Sequence, residues 1–197
     1  MDSKLTLFSQ IISKIDRVIF KKIVKEKKTD YRNKGFDSWT HLVSMLFCHF
    51  AKSTSVRDIS NGLRSATGNL NHLGIKTAPS KSSISYQNGK RDADLFKDLY
   101  FKLLEQLGQH TKERRIKLKI KVPVYLLDST LISLCLSLFD WATYRTKKGA
   151  VKMHTLLEYD GKLPVYVNIT KESVADNKGA ENIPLEKRAV IVADRFY

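Results

Sequence analysis

Cysteine is scarce: Cys48 and Cys135 are the only two in 197 residues. Neither belongs to a CxxC pair or has histidines at ligand spacing, and both sit in apolar stretches. This excludes a disulfide-framed secreted domain and reads both as buried thiols of a protein in a reducing compartment. Long apolar runs are missing too. Stretches such as Leu131–Phe139 are interrupted by serines and fall well short of the ~18 residues that a bilayer span needs. The N-terminus is an amphipathic helical pattern with lysines, so neither a secretory signal nor a membrane partner is expected. No GxGxxG, GxxxxGK[ST] or GxSxG motif occurs, which removes support for glycine-loop nucleotide binding and for a Ser–His–Asp hydrolase. The histidines His41, His49, His72 and His110 show no zinc spacing, and His154 reads as a packed neutral side chain within a strand.

Acidic residues are also few. Against 35 Lys and Arg stand 20 Asp and Glu, a net charge of +15. The excess is uneven: residues 1–120 carry net +13 and residues 121–197 only +2. Such a front half suits a polyanion, nucleic acid ahead of an acidic membrane surface or acidic protein. The hydrophobic fraction of 42% with 10% aromatics is enough for packed cores, so a wholly disordered basic tail is excluded.

The front half has helical periodicity. Leu5, Phe8, Ile11, Ile12, Ile15, Val18, Ile19 and Ile23 recur every three or four residues and predict one helix whose end is rich in lysine. A polar connector, Thr29–Asp37, follows. Ser38 is expected to cap a second helix, Ser55 a third and Ser80 a fourth over Lys81–Gly89, with a short helical turn at Leu70–Leu73. A fifth starts at Asp92 and ends at Gly108. Residues 110–121 read as a basic linker running into an edge strand. Strands are expected over Val122–Leu127, Val151–Tyr159, Leu163–Thr170 and Ala189–Ala193. Asp160-Gly161 makes the hairpin turn between the second and third, and a short helix lies within Lys178–Lys187. The fold class expected is α+β: an all-α region over 1–109, the linker over 110–121, and a strand-rich region over 122–197.

Two carboxylates stand out. Asp128 follows the apolar run VPVYLL and Asp194 follows AVIVA. Aspartates ending two strands of one sheet can converge on one edge, where hard oxygen ligands suit Mg²⁺ or Mn²⁺; alternatively each caps the turn that follows. Glu158, Asp160, Glu172 and Asp176 read as turn or solvated positions. The helix after Ser80 carries Lys81, Ser82, Ser83, Tyr86 and Lys90, followed by Arg91. These are side chains of the kind that contact phosphates and base edges, or they form a solvated face. With the helix after Ser55 they form a helix-turn-helix-like pair whose joint exceeds the usual 3–4 residues. A second basic cluster holds Arg145, Lys147, Lys148 and Lys152.

In this order the pieces resemble a bacterial DDE transposase of the IS-four insertion-sequence group, which has a ribonuclease-H-like core. The resemblance rests on VYLLDST (124–130), WATYRTKKGAVKMHTLLEYDGKLPVYVNIT (141–170) and VIVADRFY (190–197). In the front half it rests on SVRDISNGLR (55–64) and SKSSISYQNGKRD (80–92). It implies a helical DNA-binding region followed by a partial ribonuclease-H-like core of three strands, a short helix and a fourth strand. It makes Asp128 and Asp194 the first two acids of the DDE triad, which together with the third hold two divalent ions about 4 Å apart. It further implies double-stranded DNA at insertion-sequence ends as partner, cleavage and strand transfer as the reaction, assembly as a homodimer or synaptic complex, and a bacterial cytoplasmic, nucleoid-associated location. The family's third acid, a glutamate in a Tyr-Arg-Glu-Lys-like motif on a later helix, has no counterpart in these 197 residues. The resemblance thus implies a front portion, truncated before that acid and catalytically incomplete alone. From a different class, a small basic DNA-binding regulator without catalysis fits the same charge, as does an RNA-binding protein.

Overall fold

The computed structural model describes residues 6–33, 35–66, 70–111, 122–134, 149–161, 163–181, 183 and 186–195. The chain divides into two compact units, Met1–Lys102 and Leu103–Tyr197. The first is helical: α1 (Leu7–Ser13), α2 (Arg17–Lys27), α3 (Ser38–Phe50), α4 (Val56–Ser65), a 3-10 turn at Leu70–Leu73, α5 (Lys81–Lys90) and α6 (Asp94–Thr111), which begins here and runs into the second unit.

The single helix expected over Leu5–Ile23 is two. Asp16 accepts hydrogen bonds from the Val18 and Ile19 backbone N–H at 2.7 and 3.2 Å, which caps α2. The tightened bond from Ile15 N to Ile12 O closes α1 just before it. Asp37 rather than Ser38 caps α3, accepting from Thr40 N at 2.7 Å. Ser38 is the first helical residue and is buried, with its N–H and hydroxyl both given to Asp30 at 2.8 Å. Ser55 and Ser80 cap α4 and α5 as expected. Gly108 does not end α6, because a glycine at an ordinary helical position costs only about 1 kcal/mol.

The core of the helical unit gathers one apolar stripe from each helix. Phe20 meets Trp39 edge-on at 5.4 Å, and the Trp39 indole donates to Leu73 O at 2.8 Å. Val43, Ile59, Leu63, Ile84 and Leu95 are fully buried around them. Ile84 is the one buried residue of α5, so the remainder of that helix is left for the surface.

The second unit holds a four-stranded sheet of β1 (Val124–Leu134), β2 (Gly149–Glu158), β3 (Leu163–Lys171) and β4 (Val190–Ala193), with the short helix α7 (Asp176–Ala180) between β3 and β4. The spatial order is β3-β2-β1-β4. β1 with β2 and β2 with β3 are antiparallel, whereas β1 with β4 is parallel. The expected succession of three strands, a short helix and a strand forms, in an α+β chain compatible with a partial ribonuclease-H-like core, but the helix is Asp176–Ala180 rather than within Lys178–Lys187, its turn closed by Gly179 N donating to Ala175 O at 3.1 Å. One sheet face packs Tyr125, Leu127 and Leu156 under Ile183, with Tyr166, Ala180, Ala189 and Ile191 around them. Because strand side chains alternate, Leu126, Asp128, Val190 and Val192 belong to the opposite face. Residues 112–121, on which the linker and edge strand were expected, lie outside the described residues.

Candidate functional site

β1 is longer than its sequence suggests. It continues past Asp128 to Leu134 because Ser129–Leu134 find partners along β2, from Ser129↔His154 to Leu134↔Gly149. Asp128 is accordingly a mid-strand residue opposite Thr155 and caps no helix, which removes the capping alternative for it. The parallel ladder with β4 pairs Val124↔Val190, Tyr125↔Ile191, Leu126↔Val192 and Leu127↔Ala193. One residue further along both strands are Asp128 and Asp194. Asp128 continues β1, whereas Asp194 is the first residue beyond the end of β4. Both are exposed. Asp128 Oδ1 accepts from Ser129 N at 2.8 Å, which fixes one carboxylate oxygen and leaves the other toward solvent.

Solvent-exposed carboxylates such as Asp128 and Asp194 are donors of the kind that Mg²⁺ or Mn²⁺ takes while retaining waters. The donor chemistry fits, but incompletely: among the described residues no three His, Cys, Asp or Glu side chains converge as a ligand set.

Beneath this edge, on the α7 face, lies a polar cluster that sequence reading misses. Asp176, read as a solvated loop residue, pairs with Lys152 at 3.1 Å, and Lys152 Nζ donates to Val174 O at 2.9 Å. Burial opposes ionisation of Asp176, but hydrogen bonds from Lys152 and Ser129 outweigh it and hold the carboxyl below its usual range. His154 is 0% exposed, bonds Thr170 Oγ1 through Nε2 at 3.0 Å, and has its pKa lowered mainly by burial. Asn168 donates to Gly179 O at 3.0 Å. Together these bonds tie the segment between β3 and β4 to the sheet, and with it the approach of β4 to β1.

The basic residues expected to meet DNA fall into three groups. Lys81, Ser82, Tyr86 and Lys90 are exposed on α5, and Ser83 is half-buried and bonded to Ser80. Arg91 and Lys152 are committed internally. The Arg91 side chain is 1% exposed and donates to Phe36 O at 3.0 Å, Asp37 O at 3.2 Å and Asp30 Oδ1 at 3.4 Å. A guanidinium can satisfy three such acceptors at once, and here it clamps the end of α5 to the start of α3. Arg145, Lys147 and Lys148 lie outside the described residues. The Thr29–Asp37 connector contributes Tyr31, Arg32 and Asn33, which face α5 across a groove. Their sequence signal, an aromatic, a cation and an amide in succession, is too short to be distinguished from an ordinary turn.

Residues 121–197 match a family described as "Transposase DDE domain", and residues 3–76 match a "Domain of unknown function (DUF4372)". The "Putative transposase y4zB" of Sinorhizobium fredii (strain NBRC 101917 / NGR234) is 28% identical over 121 residues, which is 61% of this chain and 32% of that protein. The matched region thus spans about a third of that relative's length. No solved structure matches. These similarities support a transposase-like protein of the DDE type. Among the described residues no helix is long and apolar enough to cross a membrane.

Proposed function

We propose that this chain carries the DNA-binding unit and the first two catalytic acids of a DDE transposase of the IS-four group, acting on double-stranded DNA at insertion-sequence ends by metal-dependent cleavage and strand transfer. The observation that supports the reading is the parallel β1–β4 register, which ends at Leu127↔Ala193, one residue before Asp128 and Asp194. In this reading Asp128 and Asp194 hold the divalent ion, Mg²⁺ or Mn²⁺, which when bound stabilises charge on the scissile phosphate and lowers the pKa of an attacking water. Ser129 N–H orients the Asp128 carboxylate, and the Lys152–Asp176 pair with His154 positions the connection that delivers Asp194. The basic helical unit holds the DNA through α5.

The test is a Mn²⁺ titration of the full chain, followed by paramagnetic relaxation, on wild type, Asp128→Asn and Asp194→Asn. Two carboxylates sharing an ion predict that either variant weakens binding at least tenfold and that the double variant adds little. Equal affinity in all four proteins would overturn the assignment. A basic DNA-binding regulator shares the charge of the helical unit but has no reason to retain cation binding specific to these two aspartates, so the same titration separates the two readings.

A further inference from the structure

The helical unit contains a groove of about 450 Å³ between the turn after α2 and the exposed side of α5. One wall is Tyr31, Arg32 and Asn33; the other is Ser83, Tyr86 and Lys90, with Phe36 and Gln87 also lining it. Among the described residues no carboxylate lines this groove. A second groove of about 420 Å³ in the same unit, which includes Arg17 and Lys76, is lined by both Asp30 and Asp37. Of the two, only the first is complementary to an anion throughout.

Its groups are arranged as donors. Lys90 Nζ donates to the Tyr86 hydroxyl at 2.6 Å and sits 4.7 Å from the centre of that ring. A phenol oxygen that accepts from an ammonium retains its own O–H for another acceptor, and the ammonium retains two further N–H groups. Across the groove Arg32 holds its guanidinium 5.2 Å from the centre of the Tyr31 ring, which is itself 72% exposed. Arg32 does so from a left-handed backbone, φ +57°, a conformation that costs a non-glycine residue energy and persists only where surrounding structure fixes it. That structure is Asp30. Its Oδ1 accepts from Ser38 N, Ser38 Oγ, Asn33 Nδ2 and the buried Arg91 at the end of α5. One carboxylate therefore ties both walls together, and the donors are preorganised before any ligand arrives.

We propose that this groove seats the phosphodiester backbone of a DNA strand, with Arg32 and the Lys90–Tyr86 pair as its phosphate-contacting groups. The proposal rests on the reading that the helical unit binds DNA, and it extends the footprint from α5 to the turn after α2.

Fluorescence anisotropy of the full chain on a labelled DNA duplex, repeated over a series of KCl concentrations, tests it. Each lost phosphate contact should reduce the log–log salt slope by about 0.9. Arg32→Asn, chosen because asparagine tolerates the left-handed backbone, and Lys90→Gln are each expected to reduce the slope by about that amount, and the pair by about twice it. Tyr86→Phe should weaken binding several-fold at fixed salt while leaving the slope unchanged, since it removes a hydrogen bond and no charge. Lys76→Gln, in the carboxylate-lined groove, controls for the loss of one positive charge and should leave the slope near wild type. Circular dichroism melts confirm that the variants fold. A wild-type protein that does not bind duplex DNA would overturn both the functional reading and the groove. A salt-dependent wild type with unchanged slopes in Arg32→Asn and Lys90→Gln would overturn the groove alone. Binding to inorganic phosphate or a mononucleotide as tight as to duplex, or equal binding to duplex RNA, would likewise reject a DNA-strand seat.

Discussion

Gly179 is the position where a single methyl group should matter most. It lies within α7, is buried, and has an ordinary helical backbone, so conformation alone would favour alanine by about 1 kcal/mol. Sterics point the other way. A Cβ built there would fall inside the van der Waals envelope of the His154 ring, against Cε1, Nε2 and Cδ2. The ring cannot withdraw freely, because it is fully buried and bonded to Thr170. Overpacking of this kind costs about 1–3 kcal/mol. Lifting α7 instead would break the bond from Asn168 to Gly179 O, about 1 kcal/mol, and separate Ile183 from Tyr125, Leu127 and Leu156. The steric term therefore wins, and Gly179→Ala should destabilise the strand-rich unit by about 2 kcal/mol. Urea denaturation with amide exchange read out on β2 and β3 measures this. His154→Ala removes the obstacle, so the double variant should show a favourable coupling of at least about 1 kcal/mol. Because α7 lies on the connection that brings β4 beside β1, Gly179→Ala should also weaken Mn²⁺ binding without touching either aspartate. Stability of Gly179→Ala within about 0.5 kcal/mol of wild type, or no coupling to His154→Ala, would refute the packing argument.

Two further outcomes follow from the helical unit. Arg91→Ala leaves Asp30 and the Phe36 and Asp37 carbonyls without their shared donor, and urea midpoints should report a loss of about 2–3 kcal/mol, with Arg91→Lys recovering only part. His41, packed between Phe36 and Phe96, has its pKa lowered to about 4, mainly by burial and then by the Arg91 charge, against a hydrogen bond to Asn88 that raises it. Its folded pKa is depressed below the unfolded 6.5, so the unfolded chain binds the proton first and stability falls as pH drops from about 6.5 toward 4. The full effect is about 3 kcal/mol. His154 is shifted in the same direction, so the diagnostic quantity is the difference between wild type and His41→Leu across that window. Parallel pH profiles for the two proteins would reject the assignment.

The two candidate acids are legible in the residues as candidates, and all but one of the misreadings have a common cause. Asp128 and Asp194 drew attention because a carboxylate at the end of an apolar run is costly without a partner. What the run does not reveal is that β1 continues beyond Asp128, since that depends on partners supplied by β2, 15 to 25 residues further along the chain. Arg91 and Lys152 read as cations available to DNA because sequence counts charge without its neighbours. The acceptors that engage them, Asp30 and Phe36 for one and Val174 and Asp176 for the other, are brought in by folding. The break between α1 and α2 was missed although its signal is local: an aspartate ahead of Arg17-Val18-Ile19 is an N-cap, but the apolar stripe continues in phase across it.

Sequence alone determined what short-range physics controls. The helical front and stranded back follow from apolar period, the starts of α4 and α5 from Ser55 and Ser80, the β2–β3 hairpin from Asp160-Gly161, and the basic front from composition. Tertiary structure decided the rest. The parallel register that pairs Leu127 with Ala193, the burial of Arg91, and the groove between the turn after α2 and α5 each join residues more than fifty positions apart. Hydrogen-bond registers and ion pairs across such separations depend on which surfaces meet when the core closes, and no local pattern encodes that meeting.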